Sequence, residues 1–138
     1  MITGVVLVFS DVSEQYRTQS ALAASERRLR AIIQHEPECV KVIAADGTLL
    51  EMNPAGLAML EADDLAQARA AGLLSFVLPA YRSAFAALHR TVVAGGRGVL
   101  EFEVQGLRGT RRWLETHAAP LVEAEGGPTM LLGVTRDI

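Results

Sequence analysis

Few side chains in this sequence could carry chemistry, and their spacing limits what each can do. The only cysteine, Cys39, can close no internal disulfide and has no second thiol for a Cys-x-x-Cys metal or redox site. A small buried hydrophobe is the ordinary role of such a thiol. There are three histidines. His35 stands two residues before Pro37, a spacing that ends a helix, and no Gly-rich nucleotide-binding segment follows, so the sequence carries no kinase. His89 falls on the flank of an apolar helical stripe, the place of a boundary histidine with its polar edge in water. His117 alternates with Glu115 and Trp113 on one face of an expected strand. Turned inward, this carboxylate–imidazole pair would contact a ligand or respond to pH; turned outward, it is a solvated trio. Strand register decides between the two, and both stay open. Glu61, Asp63 and Asp64 cluster without a nearby histidine or nucleophile, which reads as a solvated edge. Gly95-Gly-Arg-Gly98 reads as a turn and not as a phosphate cradle.

The chain that must position these residues has 138 of them, half hydrophobic and 21% charged, which suits one domain with its own core. Its longest unbroken apolar run, Val5 to Phe9, is far short of the ~20 residues of a membrane helix, and no arginine-led leader opens the sequence. A soluble, unprocessed protein with no membrane segment of its own is expected. The net charge of −3 provides no broad positive field, which argues against nucleic acid as a partner. A lone thiol fits a reducing cytoplasm.

Along the chain, the β-branched run Gly4 to Asp11 predicts a buried strand. Ser13 to Gln34 lacks Gly and Pro, and Leu22, Leu29, Ile32 and Ile33 recur at helical spacing, giving a long helix with one narrow apolar stripe. Arg27, Arg28 and Arg30, among Glu14 and Glu26, suit its wet face. After Pro37, Cys39–Ile43 and Thr48–Met52 flank the Asp46-Gly47 turn of a β-hairpin. Asn53-Pro54 then starts a short helix carrying Leu57 and Leu60. A second short helix covers Asp64 to Ala71 and stops at Gly72, and Leu73 to Leu78 forms an apolar connector closed by Pro79. Tyr81, Phe85, Leu88 and Val92 line one side of a helix over Ala80–Ala94. Leu100, Phe102 and Val104 alternate with Glu101, Glu103 and Gln105, as in a strand with one wet face. Two further strands, Arg111–Val122 and Thr129–Asp137, follow. The expected fold class is α+β, a five-stranded antiparallel sheet with short helices on one face, preceded by a long N-terminal helix.

Leu7-Val-Phe-Ser-Asp-Val12 is echoed by Gly133-Val-Thr-Arg-Asp-Ile138 at the end of the sequence. A piece of a tandem array would show this: residues 1–12 the last strand of a preceding unit, 13–35 a linker and dimerisation helix, and 36–138 one complete unit. Chance similarity of two apolar segments is the alternative.

Ser25-Glu-Arg-Arg-Leu-Arg-Ala-Ile-Ile33 leading to Pro37, Ala45-Asp-Gly-Thr48, Met52-Asn-Pro-Ala55, Phe76-Val-Leu-Pro79, Arg112-Trp-Leu-Glu115 with Ala119-Pro120, and Gly133 to Ile138 follow one another along the chain. In this order they resemble a PAS domain, the sensory module of bacterial signalling proteins. Two positions depart from the family pattern: Leu78 stands where a histidine is frequent and Ala80 where an acidic residue is frequent. The resemblance implies a five-stranded antiparallel sheet with short helices on one face, enclosing a small cavity. Flavin photosensors of the family need a cysteine within an Asn-Cys-Arg-Phe-Leu-Gln type helix, which is lacking here, so flavin is disfavoured. Haem sensors place a histidine near the start of the long helix, which here reads Tyr81-Arg-Ser-Ala, so haem is disfavoured too. The cofactor is otherwise unknown, and no metal is expected.

The expected function is a non-catalytic sensory module of a larger signal-transduction protein, of histidine-kinase or cyclic-di-nucleotide enzyme type, with a kinase or other effector downstream. Its cavity would be lined by Leu60, Phe76, Phe85, Leu88, Phe102 and Trp113, with His117 as polar contact; these side chains could equally pack into a closed core. A homodimer is expected through Leu22, Leu29, Ile32 and Ile33. The alternatives are a ligand-free dimerisation or relay module, and a small enzyme built on Glu115 and His117.

Overall fold

The Asp46-Gly47 pair reverses the chain as its residue types demand. The Asp46 carboxylate accepts the Thr48 amide at 2.9 Å, and Gly47 takes φ +93°, a conformation that glycine adopts without strain. In this computed structural model, which describes the backbone of residues 2–138 and side chains from residue 14 onward, the turn joins β1 (Cys39–Ile43) to β2 (Leu49–Met52). Four helices follow: α2 (Pro54–Leu60), α3 (Leu65–Ala71), α4 (Leu73–Phe76) and α5 (Pro79–Val93). Three strands complete the sheet: β3 (Gly98–Gln105), β4 (Arg111–Leu121) and β5 (Met130–Asp137). The spatial order is β2-β1-β5-β4-β3, and every pairing is antiparallel. The expected fold class is the one observed.

Alternation along each strand separates the two faces of the sheet. Ile43, Phe102, Val104, Leu114, Ala118 and Leu131 lie in a buried core with Leu60, Phe76 and Phe85 from the helices. The rings of Phe85 and Phe102 meet edge to face, 5.4 Å between centroids. The apolar connector of Leu73 to Leu78 contains the one-turn α4, and Val77 then bridges Val104 beside the β3 edge.

Asn53 explains how the helices are tied to the sheet. Its side-chain oxygen caps α2 by accepting the Gly56 amide at 3.1 Å and also accepts the Val40 amide at 2.9 Å, while its Nδ2 donates to the Glu38 carbonyl at 2.9 Å. One fully buried amide thereby fixes β1 against the start of α2. Gly56 allows the close approach, since a Cβ there would fall 2.7 Å from the Cys39 sulfur and 2.5 Å from Met52 Cγ.

The chain divides into two compact units, Met1–Gln34 and His35–Ile138. The first is a single helix, α1 (Ile2–His35). A strand is expected over Gly4 to Asp11, and the backbone there is helical instead. A helix closes its main-chain hydrogen bonds within the segment, whereas a strand needs a neighbouring strand to close them. Along α1, Leu22, Leu29, Ile32 and Ile33 are exposed. Among the described residues no helix is long and apolar enough to cross a membrane.

Candidate functional site

Cross-strand register builds the interior site. Thr135 of β5 lies between Cys39 of β1 and Thr116 of β4, and in the next row Gly133 lies between Lys41 and Ala118. Cys39 and Lys41 are two apart on β1, so both point to the core face, and both are buried. Gly133 makes the room: a Cβ there would stand 3.1 Å from Lys41 Cε and 3.3 Å from its Cγ. The lysine stem thus runs past a residue that has no side chain. Its Nζ donates to Thr135 Oγ1 at 3.1 Å, and Thr135 donates in turn to Thr116 Oγ1 at 2.8 Å. The amine also sits 5.8 Å from the centroid of the Phe85 ring.

Lys41 is the only lysine of the chain; every other basic side chain of this class is an arginine. Among the described residues no carboxylate forms an ion pair with it. Burial pushes its amine below the ordinary value of 10.5, opposed only by the neighbouring Cys39. Burial likewise pushes the Cys39 thiol up, against the lowering influence of Lys41 and a hydrogen bond with Thr135.

A small void lies beside these groups, with about 20 Å³ open to the centre of a water molecule. That is room for about one water. Cys39, Lys41 and Thr135 line it from the sheet, and Met52 and Met59 bring flexible thioethers to it. Of the residues expected from sequence, Leu60, Phe76, Phe85 and Phe102 line the void. Leu88 does not; it packs against the edge of the core, where its Cδ1 would collide with a Cβ on Gly98.

Trp113 and His117 are corrected by the register. Leu114, Thr116 and Ala118 are the buried residues of β4, so Trp113, Glu115 and His117 face the other way, off the void. Trp113 is 46% exposed, and its ring meets that of Tyr81 edge-on at 5.6 Å. His117 Nε2 lies 2.9 Å from Glu115 Oε1, which also accepts from Arg136 Nε at 3.0 Å. Hydrogen bonding to His117, then to Arg136, holds the Glu115 carboxyl below its usual range. An enzyme built on Glu115 and His117 therefore has neither residue in the void.

Other sequence candidates have structural placements. His89 Nε2 is 3.0 Å from the Ala45 carbonyl, joining α5 to the first hairpin. Glu61 is more than a solvated edge: its carboxylate accepts from the Thr110 amide at 3.0 Å and from Thr110 Oγ1 at 3.1 Å, binding the end of α2 to the β3–β4 turn. Asp64 caps α3 by accepting from the Gln67 amide.

Lys41 is the residue that sequence reasoning missed. Cys39-Val-Lys-Val-Ile43 alternates, and a lysine in step with Cys39 and Ile43 on a core strand is the signal. Val40 and Val42 made the opposite face equally apolar and hid it.

A curled antiparallel sheet with helices folded over one face, around a small interior site, defines the class of this domain. A family model described as the PAS fold matches residues 33–138, and the chain belongs to that family. The PAS domain of an HTR-like protein from Haloarcula marismortui has a TM-score of 0.75 at 23% identity, covering 89% of this chain and 99% of that one. A domain of a sensory box sensor histidine kinase/response regulator from Geobacter sulfurreducens has a TM-score of 0.69 at 22% identity, covering 84% and 96%. A PAS domain from Colwellia psychrerythraea has a TM-score of 0.70 at 16% identity, covering 81% and 95%. No curated protein matches the sequence.

Proposed function

We propose that this chain is a non-catalytic sensory module of a larger cytoplasmic signal-transduction protein, of histidine-kinase or cyclic-di-nucleotide enzyme type. The observation that carries the reading is the void under the sheet, bounded by aromatic rings, thioethers and one buried amine. A molecule held there touches β1 and β5 from one side and α2 and α5 from the other, so it can favour one arrangement of sheet and helices over another. Unequal affinity for two arrangements is what shifts their populations. The Geobacter sulfurreducens neighbour, a domain of a sensor histidine kinase, supports this type of parent protein. Mass spectrometry of the natively purified chain should detect a small molecule that is released on denaturation; repeated absence of any such molecule counts against a resident ligand.

The output is proposed to run through α1, paired with a second copy of the chain. Leu22, Leu29 and Ile32 are 60%, 58% and 57% exposed at helical spacing, and Ile33 extends the stripe. Light scattering should show a dimer for the wild type and a monomer for Leu29→Asp. A variant as dimeric as the wild type removes the stripe as the interface.

A second reading, a relay that pairs subunits and binds no small molecule, is favoured by the size of the void, which admits about one water in this conformation.

A further inference from the structure

A primary amine buried in an apolar void without a counter-charge is an unusual thing for a fold to keep. Burying an unpaired ion is strongly unfavourable, and a methionine or leucine would fill the same volume without that penalty. Lys41 is nevertheless the one lysine in a chain that uses arginine everywhere else, it is 4% exposed, and Gly133 leaves space for its stem. Its single hydrogen-bond partner among the described residues is Thr135, whose own hydrogen is committed to Thr116. Thr135 thus offers the amine a lone pair, and among the described residues no other acceptor is hydrogen-bonded to it.

We propose that the void is a binding site for a small aliphatic carboxylate, its oxygens on Lys41 Nζ beside Thr135 and its tail among Met52, Met59 and Phe76. The proposal rests on the sensory reading above and names its ligand class. One negative charge balances one ammonium, so ligand and lysine are buried as a neutral pair; a phosphate dianion would leave net charge inside. Where the amine is neutral beforehand, each anion bound carries one proton in from solvent. The lining beyond Lys41, Thr135 and Cys39 is apolar, which selects a hydrocarbon tail over a polar one. The void as it stands has room for about one water, less than a carboxylate needs, so head group and tail both require the unbranched thioethers of Met52 and Met59 to swing aside. Covalent capture of a carbonyl by the amine is the less favoured chemistry: it needs a proton donor for the departing water, the Thr135 proton is already given to Thr116, and the Cys39 thiol that remains is made a weaker acid by burial.

The test uses butyrate, with 1-butanol and n-butylammonium as tail-matched controls, on the whole chain. In protein labelled with ¹⁵N-lysine there is one lysine signal to follow. Butyrate should move it saturably, and should bind at least tenfold more tightly than either control by calorimetry. Lys41→Met should lose at least tenfold in butyrate affinity and keep its weak affinity for butanol. The lysine signal needs no variant, so it still decides if Lys41→Met fails to fold. Equal binding of butyrate and butanol overturns the carboxylate and leaves a sensor of neutral molecules standing. Failure of all three to bind overturns the site itself and leaves only the relay. A reduced butanal adduct on Lys41 without butyrate binding also overturns the proposal, in favour of carbonyl capture.

Discussion

The two faces of the sheet each carry a polar cluster, and the clusters behave oppositely. On the outer face, the Glu115 carboxylate pairs with the Arg136 guanidinium and hydrogen-bonds His117, in a wet setting where the His117 and Arg136 side chains are 60% and 56% exposed. On the inner face, Lys41, Thr135 and Thr116 form a chain of hydrogen bonds with one basic group and no acid. The outer cluster is complete in itself. The inner one has a basic group without an acid beside it and, among the described residues, a single acceptor for that group's N–H donors. A balanced surface trio needs nothing further, whereas an unbalanced interior one is where an added ligand changes the free energy most.

The largest test of this contrast compares aromatic truncations across the sheet. Phe102→Ala, on the inner face, should destabilise by about 3–5 kcal/mol in urea denaturation. Trp113→Ala should lose much less, and equal losses would break the distinction between the faces. Next comes the amine. Because burial lowers the Lys41 pKa from 10.5, the unfolded chain binds more protons between the folded value and 10.5, and stability rises with pH across that window. Lys41→Met should therefore be more stable than the wild type at neutral pH, by about 1–3 kcal/mol, with the gap closing as the pH approaches the unfolded value. A gap that stays constant with pH would show that the charge of the amine is not what the fold opposes. The smallest effect is expected outside. Glu115 titrates below its ordinary value of 4.5, so its contribution is present above that value and fades as the pH falls through the folded one. His117→Ala should raise its carboxyl midpoint in carbon NMR while leaving the urea midpoint at neutral pH nearly unchanged.

How legible each part was in the sequence follows from how local its causes are. The Asp46-Gly47 turn, the Asn53-Pro54 helix start and the Leu100–Phe102–Val104 alternation depend on neighbours along the chain, and all three appear as read. Gly4 to Asp11 went the other way, because β-branched residues favour a strand only when another strand is there to receive it. The four expected residues that line the void, Leu60, Phe76, Phe85 and Phe102, are large and apolar on elements with one clear buried side. Trp113 and His117 were misplaced because their side of β4 depends on register against β3 and β5, which residues far off in sequence determine. Lys41 was overlooked since residue type alone consigns a lysine to water.

Gly133 has a consequence beyond its own strand. An amine on β1 and an empty position on β5 form a lock whose halves must change together: a methyl group at Gly133 would press on the Lys41 stem, and a short residue in place of Lys41 would leave a hole beside the glycine.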